Sequence, residues 1–229
     1  MQLTIEQCRE QFLATEVSSG ELTLFTSPLL AEEPETRSGL TLMMGMPDEE
    51  WLKYIGTPAG SSRIKYKGVL PSGVSVIGKE TTVGTDDFED MIWEMTFAHF
   101  LREPIQRARD MIDFGNLAPE GVNLSLGSEK PLGLSYRPAD GRVLSFFEWI
   151  DNAIDGHRIW NTRDNTILND YTSYFLRNII WTTSVGLKPI IDSLGVMWPD
   201  LRSQQTMVQT APGFITVNLI DFESCKPTL

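Results

Sequence analysis

The side chains best suited to binding or catalysis are gathered in one short segment that follows Gly156. Within eight residues this segment carries an imidazole, two guanidiniums, an indole and a carboxylate: His157, Arg158, Trp160, Arg163 and Asp164. Guanidiniums hold anions through paired hydrogen bonds, and an indole offers a flat apolar surface for stacking. The segment is therefore the candidate ligand-binding site. The competing interpretation, which we favour, is a structured loop in which Arg163 pairs with a neighbouring acid.

Familiar nucleotide-binding and hydrolase motifs are incomplete in this sequence. The segment 56–62 has three residues between its glycines instead of four, and Ser61 stands where a phosphate-binding P-loop has lysine. Thr182 replaces the first glycine of a nucleophile elbow around Ser184, and both histidines precede that serine. We therefore expect no cofactor, and no catalytic residue is assigned.

Metal-ligating side chains are few and widely separated. The cysteines and histidines are Cys8, Cys225, His99 and His157, and none of them stands at the spacing of a zinc motif. We expect no bound metal. Because the two cysteines lie at opposite ends of the chain, the sequence predicts two buried or half-buried thiols.

The charge balance argues against anionic partners. The 229 residues include 19 Lys and Arg against 31 Asp and Glu, which gives a formal net charge of −12. Because nucleic-acid and anionic-membrane binding depend on cationic surfaces, we expect neither partner. The first residues show no signal-peptide pattern, and no apolar stretch is long enough to span a bilayer. These features predict a cytoplasmic protein, or one incorporated into a particle.

The pattern of apolar, capping and turn residues predicts an α+β fold. We expect short, mostly antiparallel strands and hairpins packed with four to five helices in one domain, 1–229, with a subdivision at residue 84 into a strand-rich part and a helix-rich part. Helices are predicted over 5–16, 47–55, 145–155 and 166–183, with a short one beginning at Pro189. Strands are predicted over 22–25, 40–44 and 122–126, and hairpins over 64–77, 132–144 and 205–222.

The longest predicted helix spans about 86–113. Apolar residues recur along it at spacings of three and four, and Pro104 is expected to kink it. Trp93, Phe97 and Phe100 lie off the main apolar stripe and form a second apolar surface. These three aromatic residues are the candidate interface, because a helix that is apolar on two sides must be covered on both.

Taken together, these features favour a non-enzymatic protein. The leading hypothesis is an interaction or structural subunit of a bacterial or viral assembly, with a protein partner or a homo-oligomer. One alternative is a hydrolase or transferase with a site around His157, Arg158, Arg163 and Asp164. The other alternative is an acidic inhibitor or immunity protein that binds a basic partner.

Overall fold

The computed structural model describes residues 3–44, 46–47, 49–50, 58–59, 64–81, 84–117, 120–162, 167–168 and 171–228. The chain divides into two compact units, and each is built from two stretches of sequence. Unit 1 comprises Met1–Phe100 and Lys130–Trp149, and unit 2 comprises Leu101–Glu129 and Ile150–Leu229. These boundaries do not coincide with residue 84, and the predicted subdivision there stays a prediction.

The described residues form five α-helices and fifteen short strands. The helices are α1 (Ile5–Leu13), α2 (Pro34–Met44), α3 (Thr85–Ala108), α4 (Gly156–Asn161) and α5 (Ser173–Ser193). The strands are β1 (Glu16–Ser19), β2 (Leu22–Thr26), β3 (Pro58–Ala59), β4 (Ile64–Val69), β5 (Ser75–Thr81), β6 (Asn123–Ser128), β7 (Pro131–Arg137), β8 (Arg142–Glu148), β9 (Ala153–Asp155), β10 (Ile167–Leu168), β11 (Tyr171–Thr172), β12 (Val196–Met197), β13 (Thr206–Ala211), β14 (Phe214–Leu219) and β15 (Lys226–Pro227). The predicted α+β class is confirmed.

Unit 1 is built on a seven-stranded antiparallel sheet with the strand order β1-β2-β7-β8-β5-β4-β3. Successive residues of a strand point to opposite faces of a sheet. In β5, Lys79 points to the face on which it meets Glu94 of α3. Glu80 points to the other face, where it meets Tyr66 in the core cluster that also contains Leu40 of α2. Helical residues therefore cover both faces, so the central strands are apolar on both sides.

Unit 2 contains a four-stranded sheet with the order β6-β14-β13-β9. β6 runs parallel to β14, and the other two pairs are antiparallel. The helix α5 buries apolar residues spaced by three, four and seven along one side, namely Leu176, Ile179, Ile180, Leu187 and Ile191. Such spacing places them on one helical face, which is the face that packs into the unit.

Two predicted elements are wrong in type. Residues 40–44 end the helix α2 instead of forming a strand, because Pro34 opens a helix and Leu40 and Met43 fall on one buried face of it. Residues 145–148 continue the strand β8 (Arg142–Glu148) instead of opening a helix, whereas the predicted strand at 143–144 and its pairing with 132–136 are confirmed. Ser145 and Glu148 mimic a capping box, but the run 143–147 is buried throughout, as a central strand requires.

Other boundaries differ by several residues. α3 ends at Ala108 with Pro104 inside it, and α5 continues through Pro189, where a separate helix was predicted. The first helix and the hairpins β4–β5 and β13–β14 are confirmed. The helix predicted over 47–55 falls largely outside the described residues. None of the described helices is long and apolar enough to cross a membrane. Both cysteines are buried free thiols, as predicted.

Candidate functional site

The segment predicted to bind a ligand begins at the N-terminus of the short helix α4. Asp155 caps this helix by accepting a hydrogen bond from the backbone N–H of His157, at 2.7 Å. The His157 ring is exposed and lies within hydrogen-bond distance of Asn161 and Gln204. Arg158 is also exposed. Arg163 and Asp164 lie outside the described residues, so the predicted anion clamp stays a prediction.

Trp160 contributes an exposed aromatic surface to unit 2. Its ring lies 6.4 Å from that of Trp181 on α5, between ring centroids, and 41% of Trp160 and 60% of Trp181 remain exposed. The described neighbours of this pair supply no buried polar group that would orient a ligand. The pair is therefore an aromatic surface without the convergent polar groups that define a small-molecule site.

The three aromatic residues predicted as an interface are covered within the chain. Phe97 is fully buried and Phe100 nearly so. Trp93 is half-buried, with its ring 5.6 Å from that of Phe97 and the Arg9 guanidinium 5.1 Å above it. Of the three, Trp93 keeps the largest exposed part, and the role of these residues as an interface stays a prediction.

A buried ion pair joins the sheet of unit 1 to α3. The Lys79 ammonium on β5 donates to Oε1 of Glu94, and the two side chains are 4% and 0% exposed. The ammonium also lies 4.8 Å from the ring centroid of Phe147 on the neighbouring strand β8. Burying two charges has a desolvation cost that their attraction barely offsets, so such a pair is weak evidence for stability.

On the opposite face of the same strand, Glu80 forms a second charged group. Its carboxylate accepts a hydrogen bond from the Tyr66 hydroxyl at 2.5 Å and pairs with Arg142 at 2.9 Å. Burial, followed by the adjacent Glu80 carboxylate, raises the pKa of Tyr66 to about 12. All three side chains are occupied with one another, so this group holds strands β4, β5 and β8 together.

In unit 2, the loop after β12 carries an exposed carboxylate. Trp198 anchors the loop by burying its indole, and Asp200 lies two residues further on, exposed and 3.4 Å from Arg202. Five residues after Asp200, the backbone carbonyl of Gln205 accepts the N–H of Ile220 at 2.9 Å. The side-chain Oε1 of Gln205 is buried without a hydrogen-bond partner. A buried acceptor left without a hydrogen bond costs about 1–3 kcal/mol.

Asp221 follows the strand β14 in a strained conformation. Its φ of 66° and ψ of 63° place it in the left-handed region, at a cost of roughly 1–2 kcal/mol for a residue with a Cβ. The next residue, Phe222, is fully buried, and its ring centroid lies 4.6 Å from that of Trp198. The loop of Asp200 and the turn of Asp221 are thus packed on each other within unit 2. Strain of this kind is concentrated at ligand sites.

Four of these residues were not among the candidate site residues predicted from the sequence: Lys79, Glu94, Asp200 and Asp221. Their common signal is a charge placed inside or directly after an apolar run. Lys79 follows the run Val76–Gly78 and Asp221 follows Phe214–Ile220, while Glu94 follows the apolar run Met91–Trp93 within α3. A charge at a position where the pattern requires an apolar residue must be paired or functional.

The comparison with solved structures finds a kinase. The kinase domain of maize SIRK1 (sucrose-induced receptor kinase 1), solved with AMP-PNP bound, aligns over 79% of this chain and 56% of its own length. The sequence identity is 13% and the TM-score is 0.46. This chain therefore spans about half the length of that domain. No family model matches the chain, and no curated protein matches it by sequence.

The predicted function, a non-enzymatic interaction or structural subunit of an assembly, is wrong. The neighbour found among solved structures is an enzyme domain that binds a nucleotide analogue, and not an assembly subunit. A TM-score of 0.46 is too low to transfer an activity. The chemistry must therefore be read from this chain's own buried ion pair and from its two aspartates in unit 2.

Proposed function

We propose that this chain binds a nucleoside triphosphate and transfers its terminal phosphoryl group to a hydroxyl. The observation that carries the proposal is the buried Lys79–Glu94 ion pair. In protein kinases a lysine on a sheet strand holds the nucleotide's phosphates, and a glutamate on the following helix holds that lysine. Here the lysine lies on the second strand of a hairpin and the glutamate on the helix that follows it.

Unit 2 supports the proposal with a second group of residues in kinase order. The kinase catalytic loop has an aspartate followed five residues later by an asparagine, and a later Asp-Phe-Gly holds magnesium. This chain has Asp200, then Gln205, then Asp221-Phe222-Glu223. Trp198 and Pro199 stand where the kinase pattern has histidine and arginine. Because of these departures, the segment 198–205 does not match the kinase catalytic-loop motif.

Each residue has a definite task in this reaction. Lys79 donates to phosphate oxygens, and Glu94 holds the ammonium in place. In kinases the catalytic-loop aspartate accepts the proton of the attacking hydroxyl, whose oxygen bonds to phosphorus as the bond to the departing nucleoside diphosphate breaks, and Asp200 stands at the corresponding place in the sequence order. Positioning and electrostatic stabilisation carry most of this type of catalysis.

The residues of unit 2 suit a magnesium ion bound with the nucleotide. Asp221 offers a carboxylate and Gln205 an unpartnered buried oxygen, and hard cations prefer oxygen ligands. In the described part of the chain no cluster of three or more His, Cys, Asp or Glu could hold a metal ion alone. That agrees with Mg²⁺, which is held by one or two carboxylates together with substrate phosphates. When bound, this ion would neutralise phosphate charge.

Calorimetric titration with ATP and Mg²⁺ tests the binding step. We expect the Lys79→Met variant to bind about 10- to 100-fold more weakly, because it lacks a charge-assisted contact worth about 1.5–3 kcal/mol. Lys188→Met is the matched control, since Lys188 is an exposed lysine on α5 and its loss should leave the affinity unchanged. Absence of ATP binding by the unaltered chain at millimolar concentration would overturn the proposal.

Transfer of label from terminally radiolabelled ATP to histone tests the chemical step. Replacing Asp200 with asparagine removes the base and should lower the transfer rate about 10²- to 10⁴-fold. The ATP affinity of Asp200→Asn should stay within about twofold of the unaltered chain, since the proposed role of Asp200 lies in proton transfer and not in nucleotide binding. An unchanged transfer rate would remove Asp200 from the mechanism.

The expected protein partner or homo-oligomer, the absence of nucleic-acid binding and the cytoplasmic location stay predictions. The first rests on the apolar content of the chain. The other two rest on the net charge of −12 and on the sequence of the first residues. The proposed phosphoryl transfer requires none of them.

A further inference from the structure

The hairpin β4–β5 of unit 1 places a second lysine directly opposite Lys79. The two strands are antiparallel, and Lys65 on β4 is the cross-strand partner of Lys79 on β5. Directly opposed residues of such a pair point to the same face of the sheet, with their Cβ atoms about 4.5–5.5 Å apart. Tyr66, the next residue of β4, points to the other face, where it meets Glu80. Lys65 therefore lies on the same face of the sheet as the proposed phosphate contact of Lys79.

The two opposed ammonium groups differ in what balances their charge. Lys79 is buried and pairs with the Glu94 carboxylate. Lys65 is half-buried, and no carboxylate in the described part of the chain pairs with it. Like charges on directly opposed residues destabilise a sheet unless something neutralises them. Because the charge of Glu94 is taken up by Lys79, the charge of Lys65 is left to be balanced by an anion from solution.

Lys67 shows the contrast two residues along the same strand. It is the cross-strand partner of Ile77, so it points to the same face as Lys65. The Lys67 ammonium lies 4.0 Å from the ring centroid of Trp149, which is a cation–π contact within unit 1. Lys67 is also exposed, so water solvates its charge. Of these two lysines of β4, Lys65 is the one whose charge lacks a partner.

We propose that Lys65 is a second phosphate-binding residue, which together with Lys79 makes the site select a nucleoside polyphosphate over a monophosphate. The inference rests on the proposed function. The Lys79–Glu94 pair is neutral as a whole, so on its own it attracts a polyanion weakly. Lys65 supplies the additional positive charge. Because lysine binds phosphate as a flexible point charge, two lysines that are direct neighbours across the sheet can contact two phosphates of one nucleotide.

The test separates the charge of Lys65 from its bulk and from its position. Lys65→Met keeps a long flexible side chain but removes the charge, and Lys65→Arg keeps the charge. The matched control is Lys67→Met, which removes the same charge from the same face of the same strand. All variants are made in the full chain. Calorimetric titration in the presence of Mg²⁺ measures the affinity of each for AMP-PNP and for AMP.

The expected result is a loss of selectivity between the two nucleotides. We expect Lys65→Met to bind AMP-PNP about 10-fold more weakly, because it lacks a charge-assisted contact, and to bind AMP within about twofold of the unaltered chain. Lys65→Arg should bind AMP-PNP within about threefold of the unaltered chain. Lys67→Met should leave both affinities within about twofold. A merely structural role of Lys65 would lower the affinities for AMP-PNP and AMP by the same factor.

The outcomes distinguish this inference from the function on which it rests. If Lys79→Met weakens AMP-PNP binding but Lys65→Met binds it as well as the unaltered chain, the role of Lys65 is wrong and the proposed function stands. Equal losses in Lys65→Met and Lys67→Met also overturn the role, because net charge alone would then explain both. If the unaltered chain binds no AMP-PNP, both proposals fail. Should Lys65→Met not fold, Lys65→Gln takes its place with the same expected result.

Discussion

At the scale of single residues, neighbouring charges in β5 serve different ends. Lys79 and Glu80 are adjacent and both are buried, but they face opposite sides of the sheet. Glu80 is occupied by two partners, Tyr66 and Arg142, whereas the Lys79 ammonium meets Glu94 beside an aromatic ring. The first group holds strands β4, β5 and β8 together, and the second joins β5 to α3.

The raised pKa of the Tyr66 hydroxyl predicts how the free energy of unfolding depends on pH. Its pKa in the folded chain is about 12, against an ordinary value of 10.0. Between pH 10 and pH 12 the folded state therefore keeps the Tyr66 proton, whereas the unfolded state releases it. The contribution of Tyr66 is therefore complete below pH 10 and is lost as the pH rises from 10 to 12. We expect the free energy of unfolding of the unaltered chain to fall more steeply across that window than that of Tyr66→Phe.

Below pH 10 the same variant should be less stable than the unaltered chain. Glu80 loses a buried hydrogen-bond donor in Tyr66→Phe, at a cost of about 1–3 kcal/mol. Tyr174→Phe is the control, because Tyr174 is 69% exposed and a surface change of this kind should stay within about 0.5 kcal/mol. Urea unfolding at several pH values measures both effects. Equal pH slopes for the two variants would contradict the assigned hydrogen bond.

The sequence pattern draws attention to one group of polar residues and leaves the others unmarked, for a physical reason. The segment 157–164 attracts attention because many polar types stand close together in the chain. Lys79 and Glu94 are fifteen residues apart, and only the packing of α3 on β5 brings them together. Asp221 is marked by its backbone conformation, which composition and spacing do not reveal. Groups assembled by tertiary structure leave only the faint signal of a charge inside an apolar run.

At the scale of elements, the predictions succeeded where local chemistry decides the structure. The capping box of α1 and the turns of the hairpins β4–β5 and β13–β14 depend on residues within a few positions of one another. The second half of β8, from Ser145, was predicted as a helix because burial on both faces removes the period of two that marks a strand. The parallel pairing of β6 with β14 joins residues about ninety positions apart, beyond the reach of local patterns.

The helix α5 carries a prediction about close packing. A Cβ on Gly186 would lie 2.8 Å from Cγ1 and Cγ2 of the buried Ile112. Alanine improves helix propensity by about 1 kcal/mol over glycine, but overpacking a tight contact costs typically 1–3 kcal/mol. We expect Gly186→Ala to lower the free energy of unfolding by about 1 kcal/mol, measured by urea denaturation.

A double-mutant cycle shows whether this contact is the cause. Ile112→Ala removes the branched side chain, so the added methyl of Gly186→Ala should then fit without displacement. The two changes together should be less destabilising than the sum of the two alone, by at least about 0.5 kcal/mol. Simple additivity would place the effect of Gly186→Ala elsewhere.

At the scale of the whole molecule, the net charge bears on large anionic partners but does not exclude the proposed nucleotide binding. A charge of −12 argues against nucleic-acid and membrane surfaces, because those contacts involve many exposed cations. Binding a nucleotide requires only a few positioned groups. Exposed charges further than about 10 Å away are screened at ordinary salt, whereas a buried ammonium is screened much less. An acidic protein can therefore hold phosphate at Lys79.

The proposed nucleotide binding also predicts a change in thermal stability, because a ligand that binds only the folded chain stabilises it. ATP with Mg²⁺ at one hundred times its dissociation constant should stabilise the folded chain by about 2.7 kcal/mol, which for a chain of this size raises the melting temperature by about 5–10 °C. Lys79→Met, which should bind about 10- to 100-fold more weakly, should be stabilised by only about 0.4–1.4 kcal/mol at the same concentrations, and Lys188→Met should show the full shift. Differential scanning fluorimetry measures all three. If Lys79→Met shifted as far as the unaltered chain, the buried ion pair would be structural and the nucleotide would have to bind elsewhere.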